Sequence, residues 1–153
     1  NASIRGNEIH IHPDVNVGLA VALDEGLIVP AIPNADKLGL GAIARQRADL
    51  VERARKGKLA MEEIQRGTFT ISSLSNFDIT FFTAILNPPQ SGILSVGKIQ
   101  DLLYLEAGQV KTKKVSTFGL SADHRIIDGA VAAKFLQAIK RMIENPLFSF
   151  LDL

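Results

Sequence analysis

The 153-residue chain carries a formal net charge of +1, with 46% hydrophobic and 22% charged residues and no cysteine. That length makes one domain with enough interior for a core, and the near-zero charge excludes nucleic acid or an anionic membrane as an obligatory partner. The lack of cysteine excludes disulfides and protein thiolate chemistry, no apolar run is long enough to span a bilayer, and the opening residues do not read as a signal peptide.

Along the chain, Glu8-Ile9-His10-Ile11-His12 alternates polar and apolar, which predicts a half-buried strand ended by Pro13-Asp14. Val17 to Leu23 and Leu27 to Ile32 read as two more strands, joined by a hairpin turn at Asp24-Glu25-Gly26 and stopped by Pro33-Asn34. Leu40, Ile43, Ala44, Arg47, Leu50, Val51 and Ala54 recur at helical spacing, and Lys56-Gly57 supplies a basic last turn and a C-capping glycine. Met61 to Gln65 predicts a turn or two of helix. Thr68 to Ser72 returns to β character, and Phe81 to Leu86 and Ile93 to Val96 read as buried strands on either side of a Pro88-Pro89 loop. Val115 to Ser121 is expected as another strand. Val131, Phe135, Ala138, Ile139 and Met142 mark a final amphipathic helix that starts near Ala130 and closes at Asn145-Pro146. Strands and helices mixed in this way predict an α/β fold, a two-layer α+β sandwich with a mixed β-sheet and helices packed on it. The apolar stretch from Pro146 to Leu153 is unusual for a chain end and is expected to dock on the core or on a neighbouring molecule.

Between the last strand and the last helix stands Ala122-Asp123-His124-Arg125-Ile126-Ile127-Asp128-Gly129. It puts one of the chain's three histidines in a polar turn beside two carboxylates and an arginine. Histidine moves protons near neutral pH, so this cluster is the leading candidate for chemistry. Gly129 is expected to permit a positive φ or a close backbone approach, and Asp123 reads as a solvated loop charge. His10 and His12 share a strand face but have no third ligand nearby, so no metal is expected. Gly39-x-Gly41 lacks the spacing of a dinucleotide loop.

The His124-Arg125-x-x-Asp128-Gly129 pattern resembles the active-site signature of the dihydrolipoyl acyltransferases, the core enzymes of the 2-oxo acid dehydrogenase complexes, whose wider relatives include chloramphenicol acetyltransferase. Asp24-Glu25-Gly26-Leu27-Ile28-Val29-Pro30, Gly67-Thr68-Phe69-Thr70-Ile71-Ser72-Ser73-Leu74 and Asn87-Pro88-Pro89-Gln90 resemble further blocks of the same catalytic domain, in the same order. The resemblance covers essentially the whole chain. It implies a chloramphenicol acetyltransferase-like fold, with residues 1–153 as the C-terminal portion of the catalytic domain and the domain's N-terminal part absent.

The resemblance also implies a reaction: an acyl group, acetyl in the first instance, moves between dihydrolipoamide and coenzyme A. Both are substrates, and the lipoyl attachment is not on this chain. His124 becomes the general base, Ser72 the oxyanion donor, Asp128 a brace for the histidine turn, and Asn87 a substrate-positioning residue. In the family an arginine from the N-terminal portion pairs with that aspartate, so here either Arg125 substitutes or Asp128 goes unpaired. The implied partners are two further copies in a homotrimer, a larger core built from trimers, lipoyl domains and the partner dehydrogenases. The active site is then shared between subunits, and the compartment is bacterial cytoplasm or mitochondrial matrix. Branched-chain or succinyl transfer, a non-catalytic scaffold, and a small-molecule acetyltransferase are the alternative readings.

Overall fold

The computed structural model describes residues 1–146. The apolar end beyond Pro146, expected to dock, therefore lies outside the described residues. Five strands form the central sheet, in the order Phe118–Ala122, Gly92–Val96, Phe69–Ser73, Val17–Leu19, Ala31–Ile32. In chain order these are β3 (Val17–Leu19), β6 (Ala31–Ile32), β7 (Phe69–Ser73), β8 (Gly92–Val96) and β11 (Phe118–Ala122). β7 runs parallel to both β3 and β8, while β11 and β6 close the two edges antiparallel. The sheet is mixed, as expected. Its interior strand β8, between β11 and the central β7, is buried along Gly92–Ser95, as a strand covered on both faces should be.

Three hairpins flank this sheet. β1 (Ala2–Arg5) pairs with β2 (Glu8–Ile11), and β4 (Val21–Leu23) with β5 (Gly26–Ile28). The latter turns at Asp24-Glu25, with Gly26 at φ +104°, as the sequence predicts. Each longer run expected here is split, because the chain leaves the central sheet at Ala20 to form the hairpin and rejoins it at Ala31. The third hairpin, β9 (Gln100–Glu106) with β10 (Gln109–Val115), is not foreseen by the sequence reading. The strand expected over Val115 to Ser121 is in fact the end of β10, a two-residue break, and β11.

Helix α1 (Leu40–Arg55) buries Leu50 and Ala54 and stops at Gly57, whose φ is +64°. Arg53 ties it to the short helix α2 (Met61–Gln65), donating to Glu63 at 2.7 Å and to Asp49 at 2.7 Å. That pairing lowers the Glu63 carboxyl to about 2. Helix α3 (Gly129–Glu144) lies on one face of the sheet, with Phe135 edge-on to Phe69 at 5.7 Å between ring centroids.

Alternation along the strands assigns the two faces. Phe69, Ile71 and Leu94 share the α3 face. Thr70, Ser72, Ile93, Ser95, Gly119 and Ser121 share the other. The stretch Phe81 to Leu86, expected as a buried strand, crosses this second face and joins no ladder. The Ser121 hydroxyl donates to the Ala84 carbonyl at 2.5 Å, and the Phe81 ring lies over Gly119. Ala84 is buried, but Phe81 and Ile85 are 57% and 91% exposed, so the run is only partly a core segment of this chain.

Candidate active site

β11 delivers the chain to the His124 turn, and α3 takes it away. The turn is held at both ends. At its start the Asp123 amide donates to the Ser91 carbonyl at 2.9 Å, and the Asp123 carbonyl accepts from the amides of Ile126 and Ile127, both at 2.9 Å. At its end Asp128 is the N-cap of α3, its carboxylate accepting from the Val131 amide at 2.8 Å. An acidic N-cap satisfies a free helical N–H and sits at the positive end of the helix dipole.

Asp123 is not the solvated charge expected from sequence. Its carboxylate is 18% exposed and accepts the Arg125 guanidinium at 2.6 and 2.9 Å and the Arg125 amide at 3.1 Å. These bonds bring its pKa from 3.8 down to about 2. The two residues flanking His124 therefore clamp each other across it. Arg125 pairs with Asp123 rather than with Asp128, so of the two options for Asp128 neither holds: its partner is the helix backbone. Between these anchors His124 stands exposed, and its ring hydrogen-bonds to no described residue. Gly129 is a further departure. Its φ is not positive and a Cβ there would meet nothing within 4 Å.

Ser72 lies in β7, half-buried, and its hydroxyl hydrogen-bonds to no described residue. Neighbouring Ser73 points to the opposite face, as expected, and is committed to a local turn through the Ser75 hydroxyl at 3.0 Å. Strand register separates Ser72 from His124 within one chain. Ser72 is level with Ser95 and so with Gly119, two strands away. Ala122 lies three residues further along, so even the residue two before His124 is roughly 14 Å from Ser72 at ordinary strand spacings. Ser72 also points to the face opposite α3. The structure does not bring the two together in one chain.

Asn87 stands half-buried before the cis Pro88–Pro89 bond, and its carbonyl accepts the Gln90 amide at 3.0 Å. With Leu27, Val29, Ile64 and Gln90 it lines a cleft of about 470 Å³. Sequence reasoning missed the Asp123–Arg125 clamp and the buried Thr70–Gln90 hydrogen bond of 2.5 Å. The signal for the first is present in hindsight as opposite charges two residues apart around one turn residue. Among the described residues no cluster of His, Cys, Asp or Glu could hold a metal, and no helix is long and apolar enough to cross a membrane.

The fold as a whole is shared with solved acyltransferase cores. The 2-oxoacid dehydrogenases acyltransferase (catalytic domain) family model matches residues 1–151, and the chain belongs to that family. It is 45% identical over 150 residues to the dihydrolipoyllysine-residue acetyltransferase component of the mitochondrial pyruvate dehydrogenase complex of Schizosaccharomyces pombe, covering 96% of this chain and 31% of the relative. It is 42% identical over 153 residues to the succinyltransferase component of the 2-oxoglutarate dehydrogenase complex of Cupriavidus necator, covering 100% of this chain and 37% of the relative. The chain thus spans about a third of the length of these relatives. Among solved structures, Azotobacter vinelandii dihydrolipoamide acetyltransferase superposes with a TM-score of 0.86 at 36% identity, over 93% of this chain and 59% of that one.

Proposed function

We propose that this chain is the acyl-transferring unit of a 2-oxo acid dehydrogenase complex, moving an acyl group between dihydrolipoamide and coenzyme A. The observation that carries this reading is the His124 turn: an exposed imidazole with no hydrogen-bond partner among the described residues, on a loop pinned by Ser91, by the Asp123–Arg125 clamp and by the Asp128 cap. The Azotobacter structure was determined in work on the catalytic roles of a serine, a histidine and an asparagine. The serine precedes that histidine by the interval separating Ser72 from His124, and the asparagine follows it by the interval separating His124 from Asp128.

The chemistry follows from these groups. A neutral imidazole of pKa about 6.5 takes the proton of a thiol of pKa about 8.5, a mildly uphill transfer. The thiolate attacks the thioester carbonyl, forming a new C–S bond and a tetrahedral oxyanion. The Ser72 hydroxyl donates to that oxygen. Collapse expels the second thiolate, which takes the proton back from the imidazolium. Asp128 holds the helix start and the turn, and Asn87 positions substrate beside the Pro88-Pro89 loop.

Because register keeps Ser72 and His124 of one chain apart, the serine acting on a given histidine comes from a neighbouring copy. A homotrimer supplies that arrangement symmetrically, and trimers in turn build a larger core bearing lipoyl domains and partner dehydrogenases. Exposed Leu102, Leu103, Leu105 and Val110 on the β9–β10 hairpin and Val131 and Met142 on α3 suit such an assembly. We assign acetyl as the acyl group, and a bacterial cytoplasm or mitochondrial matrix as the compartment. The test offers acetyl-, isobutyryl- and succinyl-CoA with dihydrolipoamide to the protein and to its His124→Ala variant. Thioester formation with a preference for acetyl, lost in the variant, is the expected result. Equal traces from both proteins would leave a scaffold role instead.

A further inference from the structure

A second cleft, of about 260 Å³, opens where the β1–β2 hairpin meets the start of β7. Its lining is cationic. Arg5, Arg66 and His12 face it, and Asp14 is the one carboxylate there, 57% exposed and 3.9 Å from the Lys37 ammonium.

Arg66 is held in place, but its guanidinium makes no hydrogen bond among the described residues. Its carbonyl accepts from the Asn16 side-chain amide at 3.0 Å, which fixes the base of the residue. Its Nε is buried without a hydrogen-bond partner. Its Nη1 lies 4.0 Å from Glu62, whose side chain is 85% exposed, and its charge also acts on the Glu63 carboxylate, which is itself paired with Arg53. The arginine side chain is 25% exposed, so its accessible part lies on atoms other than Nε. A partly desolvated guanidinium with donors to spare favours a planar or tetrahedral oxyanion.

A neutral donor stands opposite. Gln90 is 7% exposed, and its Oε1 accepts from the buried Thr70 hydroxyl at 2.5 Å, which fixes the orientation of the amide. Its Nε2 donates to no described residue and lies against Gly67, where a Cβ would approach to 2.8 Å. His12 adds a ring whose Nε2 is engaged with the fully buried Ser3 hydroxyl at 3.1 Å.

We infer that this cleft binds the terminal oxyanion of a small ligand, a carboxylate or a phosphate, with Arg66 and Arg5 supplying charge and Gln90 a fixed N–H. The cleft wall abuts the His124 turn, since Ser91, next to Gln90, accepts from the Asp123 amide. Binding here does not require acyl transfer, so its failure and the failure of the proposed reaction are separate results.

The experiment titrates the protein with inorganic phosphate and, separately, with succinate at low ionic strength, reading the arginine Nε–Hε resonances and the heat of binding. A saturable shift of the Arg66 signal is expected, and the tighter of the two anions names the source. Arg66→Gln should weaken binding at least tenfold, and Lys134→Gln, which removes an exposed cation on α3, should leave it unchanged. Should Arg66→Gln fail to fold, Arg5→Gln and the wild-type Arg66 resonance carry the same comparison. Failure of both anions to saturate, or equal losses in the cleft variants and in Lys134→Gln, overturns the inference.

Discussion

A complementation experiment tests the shared site most directly. Ser72 and Ala122 are separated by two strand spacings and three residue steps, roughly 14 Å at ordinary sheet dimensions, and a base and an oxyanion donor acting on one carbonyl must both lie within about 3 Å of the reacting group. His124→Ala alone should cost about 10²–10⁴-fold in rate, and Ser72→Ala about 10²–10³-fold. The two variants are mixed one to one, dissociated and reassembled. In the proposed cyclic trimer each site would take histidine from one chain and serine from the next, so a site works only when a Ser72→Ala chain meets a His124→Ala chain in that order. Random assembly makes that about one site in four, so the mixture should recover roughly a quarter of the wild-type rate. Acyl transfer from acetyl-CoA to dihydrolipoamide, followed by thioester absorbance, is the assay. A reassembled mixture no more active than the mean of the two variants would refute a site divided between copies.

Asp128→Ala removes the α3 cap seen at 2.8 Å and should cost about 1 kcal/mol, or roughly 2–4 °C in melting temperature for a domain of this size; Asp128→Asn keeps the cap and should melt near wild type. Gly97→Ala would put a Cβ 1.9 Å from the Thr80 carbonyl oxygen, so chemical denaturation should show a loss of about 3 kcal/mol or more. Gly129→Ala, with open space around its Cβ, should melt no lower than wild type. The Asp123 carboxyl, brought from 3.8 to about 2 by Arg125, contributes stability that is present above its ordinary value and lost as pH falls toward 2. Asp123→Asn should therefore show a shallower loss of stability between about pH 4 and pH 2 in acid titrations followed by circular dichroism.

The sequence is most readable where turns, caps and short-range periodicity are explicit. The strand at Glu8 to Ile11, the stop at Gly57, the Asp24-Glu25 turn and the start of α3 near Ala130 all match, because local propensity and turn chemistry are explicit there, although Ile9 and Ile11 are 55% and 82% exposed. The β9–β10 hairpin escaped because neither of its strands buries a face here, so a period of two had nothing to report. Leu102, Leu103 and Leu105 are 45%, 68% and 76% exposed. Its turn gave no warning either, since Ala107 and Gly108 both adopt positive φ without the usual Asn-Gly pair. Phe81 to Leu86 misled in the opposite direction, as an apolar run that crosses the sheet with Ile85 91% exposed.

The candidate site divides along the same line. His124 and Ser72 were legible as types of residue in recognisable blocks, and the family resemblance implied a site shared between subunits. Register adds that the two stand apart within one chain. Asp128 was legible as a brace, yet its partner, the Val131 amide, belongs to the helix it caps and needed no arginine at all. Charge alone could not distinguish that cap from an ion pair. The misread segments, the β9–β10 hairpin and Phe81 to Leu86, leave large apolar side chains in solvent, as do Ile9 and Ile11 of β2 and Val131 and Met142 of α3. Hydrophobic patterning reports burial in the proposed assembly, whereas a single chain shows only the part of that burial it can complete alone.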